Sequence, residues 1–122
     1  MASGDTLIVF TPLSNEPPSA NFSTWDVRNL HPVLDFDATT QEAAIFSGIM
    51  PRHYGGGGIT PYVHWAATSA ITGTIGWDVS FERIGDGSQD IDSDGFATAQ
   101  TITAATVPGT SGNVDITNVA VT

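Results

Sequence analysis

The chain contains no cysteine and no lysine, and its only cationic side chains besides histidine are Arg28, Arg52 and Arg83. Without cysteine there is no disulfide framework and no thiolate metal site, and cysteine usage says nothing about redox compartment. Without lysine there is no Schiff-base chemistry, no phosphate loop of the kind that ends in a lysine, and no lysine-rich nucleic-acid surface. Charge is sparse altogether, at 13% of residues, against ~25% in an average protein. The 13 acidic residues leave a net charge of −10, which repels phosphate backbones, so no direct contact with nucleic acid is expected. Long apolar runs are missing too. The N-terminal stretch has no basic region, and its longest aliphatic-aromatic run, Leu7-Ile8-Val9-Phe10, is far short of the ~20 residues that cross a bilayer. A soluble, unprocessed chain with no membrane partner is expected.

What is present points to strands. A chain of 122 residues and 12.7 kDa suits a single domain over 1–122, with an extended N-terminal segment over 1–20. Its polar surface must be built from Thr, Ser and Asn, which suits the exposed faces of strands better than those of helices. A first strand is expected over 6–11, stopped by Pro12 and followed by the Pro- and Ser-rich connection 14–19. Residues 22–27 alternate weakly. Pro32 pushes His31 toward extended geometry, so 33–37 reads as an edge strand. Only 40–49 could pass for a helix, and Ala44, Phe46 and Ile49 in it also fit a strand.

The second half carries the clearest alternation. Ile59, Pro61, Val63 and Trp65 share one face of a period-two segment, and Ile75, Trp77, Val79 and Phe81 share one face of another. The short loop between them predicts an antiparallel hairpin that turns both tryptophans into one core. A Gly- and Asp-rich loop over 85–95, a Thr/Ala-rich strand over 96–106, a turn over 108–112 and a last strand over 114–121 complete the pattern. In that last strand Val114 and Ile116 are out of phase with Val119 and Val121, which predicts a bulge near Thr117 and Asn118. The fold class is therefore all-β, a single antiparallel β-sandwich or jelly-roll-like barrel. Such a chain has open sheet edges and few charges to protect them, so edge burial against another subunit is expected.

Candidate chemistry is thin. His31, His53 and His64 have no spacing diagnostic of a metal site or a hydrolytic triad, and each reads as structural or solvated. A small hydrolase would need one of them to meet a Ser and an Asp in a pocket. The run Gly55-Gly56-Gly57-Gly58 lacks the lysine and the following helix of a phosphate cradle; it suits a crowded or left-handed backbone path at a barrel end or subunit contact, anchored by Arg52 and Tyr54. Asp90, Asp92 and Asp94, closed by Gly95, match the opening of a calcium loop. The twelfth position is Thr101, not the required Glu, so the loop reads as acidic and solvated, and no cofactor or metal is assigned. Trp25, Trp65 and Trp77 are candidates for a sugar-stacking platform, with Trp77 assigned to the core.

The stretch Thr24-Trp25-Asp26-Val27-Arg28-Asn29, the segment from His31 to Asp37, the run from Met50 to Gly58 and the block from His64 through Trp77 to Arg83 resemble small proteins encoded in tailed-phage and prophage genomes. The resemblance covers most of residues 22–105. It implies a virion structural protein, functionally closest to the capsid decoration or cement proteins that sit on the capsid exterior as jelly-roll-like oligomers. On that basis the chain is expected to be non-enzymatic, to act as a homotrimer and to have the major capsid protein as partner. The relatives run on with further strands, so the expectation is either that another subunit completes the last sheet position or that this is a shorter version of the protein. The alternative is a carbohydrate-binding or adhesion module of a phage tail or fibre, using exposed Trp or Tyr.

Overall fold

The computed structural model describes residues 6–120. It is all-β, with no α-helix among the described residues, and its six strands pair as three antiparallel two-stranded ladders. The chain divides into two compact units, Met1–Gly56 and Gly57–Thr122, each taken by itself below.

In the first unit β1 (Thr24–Arg28) and β2 (His31–Asp35) form a hairpin in unbroken register from Thr24↔Asp35 to Arg28↔His31. The loop is two residues, Asn29 and Leu30, with φ of 49° and 66°. Positive φ at both central positions is what a type I′ hairpin needs, because its twist matches that of the strands. Asn tolerates this conformation, but at Leu30 it costs about 1–2 kcal/mol. The sequence reading missed this turn because leucine stands where glycine normally signals it.

Two expectations for this unit fail. Residues 6–11 form no strand: Phe10 instead stacks on Phe46, with centroids 5.4 Å apart, and a 3-10 turn follows at Pro12–Ser14. A Cβ at Gly48 would come within 3.0 Å of the Phe10 ring, so glycine leaves room for that stack. Residues 40–49 are neither helix nor strand beyond one parallel bridge, Phe22↔Ala43. Their backbone groups are taken by distant partners, Ala43 N donating to Asn21 O at 2.9 Å, Ser23 N to Ala43 O at 3.1 Å and Glu16 N to Ile45 O at 2.6 Å. Those bonds replace the i→i−4 bonds a helix would need.

In the second unit β3 (Tyr62–Ala66) pairs with β6 (Val114–Asn118), and β4 (Thr74–Val79) pairs with β5 (Gln100–Thr106). The expected β3–β4 hairpin is therefore corrected. Seven residues separate the two strands, more than a tight hairpin loop, and the chain uses them to cross from one ladder to the other. Alternation nevertheless aims both tryptophans inward, as expected. Ile59, Pro61, Val63 and Trp65 all face inward on their segment, and Ile75, Trp77 and Val79 do so on theirs. The Trp65 and Trp77 rings meet at 6.3 Å and 54°, joining the two ladders, and β5 and β6 also lie together. The phase is lost after Val79, and Phe81 lies outside β4 and is exposed.

The register irregularity also falls elsewhere than expected. β3–β6 runs unbroken from Tyr62↔Asn118 to Ala66↔Val114, whereas β4–β5 shifts between Ile75↔Ala105 and Trp77↔Ile102. Thr103 and Ala104 thus stand opposite the single residue Gly76, a β-bulge. β6 needs no bulge because Asp115 and Thr117 are its inward residues, in phase with Val119 just beyond it, while Val114 and Ile116 point out. Val121, part of the expected last strand, lies outside the described residues, as does the terminal segment 1–5.

The inward polar pair on β6 has a partner. The Trp65 indole N–H donates to Thr117 Oγ1 at 2.9 Å, and that hydroxyl donates to Asp115 Oδ2 at 2.8 Å. Trp65, only 8% exposed, thus buries its ring with its one donor satisfied. Thr117→Val would strand the indole N–H and should destabilise the second unit by about 1–3 kcal/mol in denaturant unfolding. Trp77→Ala, at a half-buried position, should cost about half of the ~3–5 kcal/mol typical of a fully buried aromatic.

Candidate functional site

The sequence-derived candidates do not converge. His31 opens β2, with Nδ1 3.1 Å from Arg28 O; His53 lies in an exposed turn; His64 stands on the outer face of β3, opposite Ile116. Among the described residues no three His, Asp or Glu side chains cluster as metal ligands. The glycine run is exposed, with Gly56 and Gly57 at φ of 87° and 88°, and it marks the boundary between the two units. Its freedom is used for a left-handed backbone path, one a Cβ would strain.

The acidic loop spends its oxygens on its own backbone. Asp90 N donates to Asp94 Oδ2 at 2.7 Å, and Asp92 N donates to Asp90 Oδ1 at 2.9 Å. Asp94 N closes the turn onto Asp90 O at 2.8 Å. These are Asx-type turns, in which the carboxylates organise the loop.

A second acidic pair was not singled out from sequence. On β1–β2, Asp26 stands opposite Val33 and so diagonal to Asp35 on the same face, within reach across the ladder. Desolvation raises the Asp35 pKa above 3.8, a hydrogen bond and charge repulsion from Asp26 raise it further, and Arg28 opposes them. Past the strand end Asp37 is lowered, chiefly by the Thr39 backbone N–H, which donates to Oδ1 at 2.8 Å, and then by the Thr39 hydroxyl at 3.0 Å.

The dominant feature is surface that a monomer would normally cover. Among the described residues only Trp65, Ala105 and Ser23 are buried. The outer face of β3–β6 presents Tyr62, Val114 and Ile116, each more than half exposed, and carries no carboxylate. Every strand has one ladder partner, which leaves one edge of each outside a ladder. In the first unit Pro12, Leu13, Asn15, Pro17, Phe22 and Trp25 line an open, mainly apolar groove of about 330 Å³. Trp25, the tryptophan nominated for sugar stacking that remains exposed, lies there at 47%, as does Phe22. A sequence signal for this groove existed in the proline cluster Pro12, Pro17 and Pro18 beside the two aromatics.

No protein-family model matches the chain, and no significant match was found among curated proteins or solved structures.

Two measurements check this geometry. In an NMR titration Asp35 should titrate above 3.8 and Asp37 below it, and Asp26→Asn should bring Asp35 down. The raised Asp35 contributes stability below its unfolded pKa, lost as pH rises through the folded value. The lowered Asp37 contributes above its unfolded pKa, lost as pH falls through the folded value. For the acidic loop, chelator should leave the melting temperature unchanged, and a fall that Asp92→Asn abolishes would restore calcium.

Proposed function

We propose that this chain is a structural protein of a bacteriophage virion: a non-enzymatic decoration or cement protein that binds the capsid exterior as a homotrimer, built on jelly-roll-like or sandwich packing, and stabilises the head shell through the major capsid protein. One observation carries the reading. Apolar side chains are exposed over a minimal core and each strand has a single ladder partner, so folding free energy is left to be gained by association. Resemblance to small tailed-phage proteins directs the reading to a virion, and the net charge of −10 directs it to a protein partner in preference to packaged nucleic acid. A cement role is mechanical: each added strand pairing and each covered apolar face raises the energy needed to separate neighbouring subunits.

A second reading, a glycan-binding module of a tail or fibre, is favoured by the exposed Trp25 and Phe22 in the groove. Aromatic faces of that kind stack on sugar rings.

The purified chain should bind assembled capsid lattice more tightly than free capsid subunits, and decorated particles should rupture at higher temperature than bare ones. Sedimentation with particles and a thermal release assay measure both. A chain that ignores particles but binds on a glycan array would replace the first reading by the second.

A further inference from the structure

Two Asp-Gly steps, Asp86-Gly87 and Asp94-Gly95, lie exposed in the connection between β4 and β5. An aspartyl carboxyl followed by glycine is open to attack by the next main-chain nitrogen, because glycine has no side chain to crowd the approach. At both glycines a Cβ would meet nothing within 4 Å, so space does not distinguish the two steps. Hydrogen bonding does. Asp94 Oδ2 accepts from Asp90 N at 2.7 Å, and Asp94 N donates to Asp90 O at 2.8 Å. The Asp94 carboxyl is thus turned back toward Asp90 and must leave that bond to meet Gly95 N. Asp86 has no such hold: among the described residues neither its carboxylate nor Gly87 N has a hydrogen-bond partner. Its turn, with Gly87 at φ 72°, is closed by one long bond, Ser88 N to Gly85 O at 3.5 Å.

We propose that Asp86-Gly87 is a site of spontaneous covalent modification, at which the folded chain converts Asp86 to isoaspartate while Asp94 is spared. Gly87 N bonds to Asp86 Cγ and gives up its proton, the Cγ–OH bond of the protonated acid breaks, and one water leaves as a succinimide ring closes. Water then adds at the Asp86 main-chain carbonyl and breaks that carbon's bond to Gly87 N. The main chain thereafter runs through Cβ and Cγ, one carbon longer, and the former main-chain carbonyl becomes the free carboxylate. No oxidant or co-reactant is consumed, and the net charge is unchanged. The β4–β5 ladder does not feel the change. Ala97 N donates to Phe81 O at 2.9 Å at the base of the loop, and residue 86 lies beyond that closure, outside both strands. An added backbone atom there is absorbed by exposed loop. Chains of different age therefore differ in one acidic loop and keep the same fold. This inference is independent of the virion reading.

The test uses the full-length chain, aged in buffer. Trypsin cleavage after Arg83 leaves both steps on one fragment, and electron-transfer fragmentation locates isoaspartate within it. Isoaspartate should accumulate at 86, with conversion at 94 about tenfold slower, the factor set by breaking one hydrogen bond to a carboxylate. Asp86→Glu, whose ring would need an extra member, should abolish conversion at 86. Ageing in urea supplies the control, since in the unfolded chain the two steps should convert at similar rates. Fresh and aged chains should melt at the same temperature. Conversion at 94 that equals or exceeds that at 86 in the folded chain overturns the proposal, as does no conversion at 86 over a time in which the urea-unfolded chain converts. A melting temperature that falls in step with conversion overturns its confinement to the loop.

Discussion

The second unit depends on satisfying one indole nitrogen. Trp65 supplies the largest side chain buried in the described chain, and a large part of the gain from burying it is kept only while its N–H has an acceptor. Thr117 is that acceptor and Asp115 holds the threonine hydroxyl. The bond is made in a ladder that sets β6 beside β3 with Asp115 and Thr117 inward and Val114 and Ile116 outward. With β3–β6 set, Trp65 can meet Trp77 and bring in the second ladder. The β-bulge opposite Gly76 lies beside Trp77 in that ladder.

The inward turn of β6 has a cost and a consequence. Aliphatic residues that would ordinarily line the core are on the outer surface, next to Tyr62 on the neighbouring strand. The first unit repeats the pattern by other means, since its hairpin is exposed along β1 and its aromatics Phe22 and Trp25 stand half open. Small β units of this size bury too little to be stable by a wide margin. Surface left apolar on both units is thus the property that connects the energetics to the proposed function, in which the free energy a larger core would supply is gained at an interface.

The hairpin tip shows the same trade at one residue. Asn29 and Leu30 form a turn that an asparagine followed by glycine would form with less strain, and the strained choice displays a leucine beside an arginine. Local stability is given up at a residue whose side chain projects unpacked.

Much of this was legible in the chain. The all-β class followed from period-two alternation, Gly/Pro punctuation and the absence of any sustained helical period. The inward faces of Ile59 to Trp65 and of Ile75 to Val79 were read correctly, because side chains alternate along any strand whatever it pairs with. Partner choice was not legible. Alternation is a local property, whereas the pairing of β3 with β6, some fifty residues away, is a choice among distant strands that no local pattern encodes. The acidic pair Asp26 and Asp35 likewise exists only because a two-residue turn sets the register, and that turn was hidden by leucine in the place of glycine. Sequence by itself determined strand content and facing, through backbone geometry that each residue carries with it; the tertiary structure alone decided partners, register and exposed faces, because those are settled by hydrogen bonds and packing between residues far apart in the chain.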